Sequence, residues 1–121
     1  MATFAVTMKE EKTYQPEENE DLRSFVNRVI AEQPDREPLR IIEQLAEITM
    51  SELKDRPYQF SATASVKGMT LTLRHSGRPI NERIVWVMGD HTDHVDYHPD
   101  GDNGWILTIH RDIPPFFATR R

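Results

Sequence analysis

The sequence contains no cysteine, which excludes disulfide bonds and zinc sites built on thiolates. It has no apolar run approaching the roughly 20 residues that a membrane-spanning helix requires. Its first residues lack the basic start and apolar core of a secretory signal peptide. From these absences we expect a cytoplasmic protein that does not associate with a membrane.

A surplus of positive charge is also missing. The chain has 15 basic and 20 acidic residues, and its formal net charge is −5. Because nucleic-acid binding depends on a basic surface that neutralises phosphates, we expect no nucleic-acid partner. The 121 residues suffice for one domain with one core, and we see neither a repeat nor a linker. We therefore expect a single domain over residues 1–121.

Helical periodicity is clearest in the first half of the chain. One apolar stripe at helical spacing predicts an amphipathic helix that ends before Gln33 and Pro34. Its members are Leu22, Phe25, Val26, Val29 and Ile30. A second helix is expected to begin at an Asp35 cap and to run to about Asp55, with Pro38 in its first turn.

Alternation with a period of two marks the strands. Residues 3–9 alternate like a strand, whereas the polar stretch 10–20 is expected to be a loop. After residue 57, alternation predicts a hairpin that turns at Lys67 and Gly68. Asn81 can cap a short helix that ends near Gly89, and two further strands follow around a turn at 99–104.

The resulting order of elements, β-α-α-β-β-α-β-β, predicts an α/β (α+β) two-layer sandwich. We expect a mixed, mostly antiparallel sheet with the helices on one face. Trp86 and Trp105 are expected in the core or half-buried. Phe116 and Phe117 follow two prolines that cannot continue a central strand, so they are expected to fold back or to meet a partner.

Three segments, in this order and context, resemble the GHKL (histidine-kinase-like) ATPase fold, most closely that of bacterial anti-sigma factor serine kinases. LAEITMSELKD, at 45–55, stands where the family has a helix reading roughly E-x-x-x-N-A-x-x-H. Residues 69–80 are similar to the family's strand that ends in D-x-G-x-P/G. Residues 87–111 resemble its closing helix, its D-x-V-x-Y strand and its last strand. The resemblance covers nearly the whole chain.

The resemblance implies roles for four residues. Glu47 matches the glutamate that orients or activates a nucleophile, so it is the candidate catalytic residue. Ser51 stands at the Mg²⁺-binding asparagine, His75 stands at the adenine-reading aspartate, and Gly77 is retained. The family's glycine-rich lid has no counterpart here. Losing one hydrogen bond to a charged group, about 1.5–3 kcal/mol, lowers affinity roughly ten- to a hundredfold.

The resemblance therefore implies a degenerate nucleotide site without tightly bound ATP or Mg²⁺. The expected function is a non-catalytic module that regulates a protein partner in bacterial signalling, either a sigma factor or an anti-anti-sigma-like regulator. The alternative is an active ATP-binding anti-sigma factor or serine protein kinase with a rearranged nucleotide site. Because such relatives often dimerise, a homodimer is also considered.

Histidines and aspartates are dense between residues 91 and 102, which raises the question of a metal site. An EF-hand read from Asp96 fails, because its third position is His98 and its twelfth is Leu107 instead of glutamate. We expect a solvated polar edge and no metal ion. No nucleophilic triad is expected either, because Ser76 beside His75 lacks a strand–turn–helix elbow.

Overall fold

The computed structural model describes residues 11–54 and 56–114. In chain order its elements are β1 (Lys12–Tyr14), α1 (Leu22–Ala31), a 3-10 helix (Glu37–Leu39), α2 (Arg40–Glu52), β2 (Tyr58–Ser65), β3 (Gly68–Ser76), α3 (Glu82–Asp90), β4 (His94–Asp100) and β5 (Gly104–Asp112). This order confirms the α+β fold. The strand expected at residues 3–9 and the tail with Phe116 and Phe117 lie outside the described residues.

The five strands form one sheet in the order β1-β2-β3-β5-β4. All four pairs of neighbours are antiparallel. The described sheet therefore differs from the expected mixed arrangement in having no parallel pair. Two of the four pairs, β2–β3 and β4–β5, are antiparallel because they are hairpins, and short turns join only antiparallel strands.

Helix α1 packs on strand β2, and α2 packs against α1. Helix α1 begins at Asp21, whose carboxylate Oδ1 accepts the N–H of Ser24 at 2.8 Å. All five residues of its predicted apolar stripe are buried. In α2, Ile42, Leu45 and Ala46 are buried in the same core. The predicted apolar stripe of α1 is thus confirmed.

The start of α2 was predicted wrongly. The 3-10 helix follows Arg36, and neither it nor α2 has a side-chain cap, so Asp35 does not cap a helix. The chain enters α2 through this tighter turn, in which the N–H of Leu39 donates to the carbonyl of Arg36 at 3.0 Å. Pro38 lies in this 3-10 helix and not in the first turn of α2, where it was expected.

The loop expected at residues 10–20 contains strand β1. Lys12 and Tyr14 stand opposite Ala64 and Ala62 of β2, and Tyr14 is buried. Local sequence could not reveal this strand, because its hydrogen-bonding partner lies about fifty residues away in the chain. The hydroxyl of Tyr14 donates to the carboxylate of Glu32 just after α1, at 3.0 Å.

The turn between β2 and β3 lies one residue earlier than predicted. Ser65 pairs with Gly68, so the turn residues are Val66 and Lys67. Gly68 serves a different purpose, because a Cβ at this position would lie 2.6 Å from the carbonyl oxygen of Arg111 on β5. A side chain here would therefore force β3 and β5 apart.

The two faces of the sheet differ in chemistry. The inner face carries the buried apolar residues Ala62, Ala64, Met69, Leu71, Leu73, Leu107 and Ile109. The outer face carries mainly Ser, Thr, His and charged side chains on alternate positions of the same strands. Within the described residues, no helix is long and apolar enough to cross a membrane.

Candidate functional site

Helix α3 and the turn before it are held against the end of α2. Asn81 caps α3, as predicted, because its Oδ1 accepts the N–H of Arg83 at 2.8 Å. The N–H of Asn81 donates to Glu52 of α2 at 3.1 Å. The guanidinium of Arg56 donates to the carbonyl of Arg78. These bonds fix the segment that connects β3 to α3.

The side chain of His75, at the end of β3, forms the polar centre of this region. Its Nδ1 lies 3.1 Å from the carbonyl oxygen of Ser76, and its Nε2 lies 2.8 Å from the hydroxyl of Tyr97 on β4. The same hydroxyl accepts the backbone N–H of Ile80 at 2.8 Å. His75 is only 5 % exposed, so both ring nitrogens are satisfied inside the protein.

The partners of the two ring nitrogens indicate the tautomer of His75. A carbonyl only accepts, so Nδ1 carries the proton and donates to Ser76. Nε2 then accepts a hydrogen bond from the Tyr97 hydroxyl, whose oxygen accepts one from the N–H of Ile80. Burial lowers the pKa of His75 below its ordinary value, and the charge of Arg56 acts in the same direction. The neutral imidazole is therefore the favoured form.

Aromatic stacking extends this centre towards β5. The ring of Tyr97 stacks with those of His75 and Trp105, at centroid distances of 5.9 and 5.1 Å and interplanar angles of 18° and 20°. The indole N–H of Trp105 donates to the carbonyl of Gly77 at 3.1 Å. Gly77 has a φ of 84°, a conformation that favours glycine. Trp105 is half-buried, as expected.

An open groove of about 1350 Å³ lies beside this stack, between α3 and β4. Its apolar and aromatic walls include Ile80, Val85, Trp86, Val95, Tyr97 and Trp105. Trp86 is 72 % exposed, so the prediction that it is in the core or half-buried was wrong. The reason is that α3 lies at the rim of the sheet and buries only Met88, whereas Trp86 projects from the helix into solvent.

The four residues implied by the family resemblance do not converge on one site. His75 and Gly77 are close in sequence, and both belong to the stacked centre. Glu47 faces α1 instead, with its carboxylate 2.9 Å from the guanidinium of Arg23, and half of its side chain is exposed. Ser51 is exposed. The carboxylate of α2 that contacts the segment before α3 is Glu52.

One arrangement of catalytic type was missed by the sequence analysis. On the outer face, the hydroxyl of Thr70 lies 2.7 Å from Nδ1 of His110, whose Nε2 lies 2.7 Å from the carboxylate of Asp112. Only the β3–β5 register, which places Thr70 opposite His110, could have revealed it. None of the three residues lines the groove beside α3, and none lies at a strand–turn–helix elbow. We therefore interpret them as a contact between neighbouring strands.

The side chains of the segment rich in His and Asp contact one another and neighbouring residues. Asp96 and His98 share the outer face of β4, and their side chains lie 3.1 Å apart. Asp93 lies 3.6 Å from Arg111 and also accepts the N–H of Asp112 at 2.8 Å. In the described part of the chain, no group of three or more His, Cys, Asp or Glu side chains is arranged to hold a metal ion.

The chain was also compared with known proteins. No protein-family model and no curated protein matches it.

Proposed function

We propose that this protein is a non-catalytic module with a histidine-kinase-like ATPase fold, which regulates a protein partner in the bacterial cytoplasm. The partner class is a sigma factor or an anti-anti-sigma-like regulator. One observation carries the proposal. His75, at the position of the family's adenine-reading aspartate, is buried and uses both ring nitrogens in internal hydrogen bonds.

This arrangement supports a site that no longer reads adenine. A carboxylate accepts the adenine amino group, but the Nδ1 of His75 is itself a donor and its Nε2 already accepts from Tyr97. Binding adenine here would require breaking that bond and leaving a buried group unpaired, at about 1–3 kcal/mol. Glu47, the candidate catalytic residue, is paired with Arg23 on the side of α1.

The groove beside α3 supports protein binding. Trp86 projects into solvent at its wall, and Tyr97 and Trp105 stack behind it. Exposed tryptophan is costly to leave in water and is enriched among residues that dominate binding energy in protein interfaces. A groove with aromatic walls and an exposed tryptophan fits an apolar side chain of a partner protein better than it fits a triphosphate.

Calorimetric titration with ATP and ADP in the presence of Mg²⁺ tests the absence of a nucleotide site. We expect no saturable heat up to about 1 mM nucleotide, which corresponds to binding weaker than about −4 kcal/mol. Saturable binding at micromolar nucleotide would instead support the alternative, an active ATP-binding anti-sigma factor or serine kinase with a rearranged site. If nucleotide does bind, Tyr97→Phe is the informative variant, because it removes the hydroxyl that occupies Nε2 of His75.

Binding to purified sigma factors and anti-anti-sigma-like regulators tests the positive part of the proposal. We expect Trp86→Ala to weaken binding to the cognate regulator about tenfold or more. Val66→Ala is the matched control, because Val66 is exposed in the turn between β2 and β3, away from the groove. If no regulator of this class binds the wild-type protein, the proposal is wrong. If Trp86→Ala binds as well as the wild type, the groove beside α3 is not the binding surface.

A further inference from the structure

Strand β4 forms one edge of the sheet and has an unusual side-chain pattern. Among the described strands it has a neighbour on one side only, strand β5. Its outer face carries alternating histidines and aspartates, and all four of these residues are exposed. In order they are His94, Asp96, His98 and Asp100. Exposed edges invite pairing with another strand, so the chemistry of this edge indicates which strand it can accept.

We propose that β4 pairs antiparallel with β4 of a second copy of this chain, centred on Tyr97. In this register His94 stands opposite Asp100 of the second copy, and Asp96 stands opposite His98. The two-fold symmetry repeats both pairs, which gives four histidine–aspartate pairs on one face. The pattern His-x-Asp-x-His-x-Asp is therefore complementary to itself when it is reversed. Opposite charges on facing positions stabilise a strand pair, and like charges destabilise it.

The backbone of β4 is compatible with this register. Proline has no N–H and is tolerated in an edge strand where the N–H would face away from its neighbour. Along a strand, the backbone N–H and C=O groups of alternate residues point to opposite sides. Pro99 is therefore placed among the residues whose backbone faces the free edge, together with Val95 and Tyr97. In the proposed register Tyr97 pairs with Tyr97 and Val95 pairs with Pro99. Each copy then loses one hydrogen bond to Pro99 and keeps the others.

The backbone groups of the outer-face residues point to β5 instead of the free edge. They form the non-hydrogen-bonded pairs of the new ladder, in which facing side chains lie closest. Asp96 and His98 already lie 3.1 Å apart within one chain. Joining two copies would therefore create a ring of four alternating groups at the two-fold axis. The pairing would also place the two α3–β4 grooves side by side.

The surroundings of these groups leave the pairs available. On β5, His98 faces Ile106 and Asp96 faces Thr108, so neither meets a charge there. Asp100 lies 3.4 Å from Arg74 of β3, which weakens its attraction for a second histidine. His94 faces His110, which is engaged with Asp112 and Thr70. The central pair of Asp96 and His98 is therefore expected to contribute most.

Sedimentation velocity of the purified chain over a concentration series measures this association. We expect a reversible monomer–dimer equilibrium at neutral pH. Amide hydrogen exchange should show protection of Val95 and Tyr97 that rises with protein concentration. A wild-type chain that stays monomeric up to about 500 µM would overturn the proposal.

A charge-swap cycle tests the register. His98→Asp places aspartate opposite aspartate, and Asp96→His places histidine opposite histidine, each twice in the dimer. Each single variant should self-associate at least about tenfold more weakly than the wild type. An equimolar mixture of the two should form heterodimers, because every aspartate then faces a histidine again. The double variant Asp96→His/His98→Asp should recover self-association.

His91→Asp is the matched control, because His91 is an exposed histidine outside β4 and undergoes the same charge change. We expect its dissociation constant to stay within about twofold of the wild-type value. Single variants that associate as well as the wild type would overturn the register. A mixture that associates no better than the single variants would do the same.

Discussion

The hydroxyl of Tyr97 on β4 bonds to Nε2 of His75 on β3 at 2.8 Å, across the intervening strand β5. The two side chains reach each other over the inner face of the sheet, and Trp105 of β5 stacks against the tyrosine ring. Because the same hydroxyl accepts the N–H of Ile80, one oxygen joins β3, β4 and the segment before α3. Stability in this half of the protein should depend on that oxygen.

Tyr97→Phe removes this oxygen and retains the ring. We expect the free energy of unfolding to fall by about 2 kcal/mol or more, because Nε2 of His75 and the N–H of Ile80 both lose their buried partner. Urea denaturation followed by circular dichroism measures the loss. Trp86→Phe, on the exposed surface of α3, should change stability by less than about 0.5 kcal/mol. If Tyr97→Phe loses less than about 0.5 kcal/mol, the hydroxyl does not join these three segments as described.

His75 should make the protein less stable in mild acid. Burial lowers its pKa in the folded state, so as the pH falls through about 6.5 the unfolded chain takes up a proton before the folded one does. Stability is therefore highest above that pH and falls towards the folded-state pKa, by at most about 1.4 kcal/mol per pH unit for one proton.

Denaturation midpoints measured at several pH values between about 8 and 5 test this dependence. We expect His75→Asn to reduce the slope, because its side chain does not titrate. The other histidines remain in the variant, so the difference between the two proteins isolates His75. Identical slopes would show that His75 takes up its proton equally in both states.

Ile42→Asp should unfold the protein. Ile42 is completely buried in α2, and an unpaired carboxylate there costs more than about 4 kcal/mol, a large share of a small domain's stability. Gln44→Asp, two residues on at an exposed position of the same helix, separates burial from helix propensity. Thermal melts of both variants measure the contrast. Similar melting temperatures would mean that α2 does not form the core.

Glu47→Ala should leave stability within about 0.5 kcal/mol, because the pair with Arg23 is exposed on both sides and screened by water. Glu20→Ala provides the comparison. Glu20 is largely buried and accepts two hydrogen bonds from Arg28, which also lowers the pKa of Glu20. Its loss should cost more, about 1–3 kcal/mol. A larger loss at Glu47 than at Glu20 would make Glu47 a structural residue.

Much of the local structure could be predicted from short-range patterns. The stripe from Leu22 to Ile30 identified the buried face of α1, because helical spacing places these residues on one side. Asn81 was predicted to cap α3 because a short polar side chain there can bond the free N–H groups of the first turn. The two hairpins followed from alternation interrupted by turn residues.

The candidate site was harder to predict. His75 was singled out for its position in a resemblance, yet its partner Tyr97 lies 22 residues away and two strands across the sheet. Trp86 was expected in the core or half-buried, but Met88 is the only buried residue of α3, and Trp86 lies in solvent. Long-range pairing and helix placement decide both, and neither leaves a periodic signal in the sequence.

The sequence by itself determined where helices and hairpins form, because propensity, periodicity and capping act between residues a few positions apart. Only the tertiary structure decided the strand order β1-β2-β3-β5-β4, the existence of β1 and the meeting of His75, Tyr97 and Trp105. These features depend on contacts between segments distant in the chain. Their free energy comes from burying shared surface and satisfying buried polar groups, which exists only once the sheet has assembled.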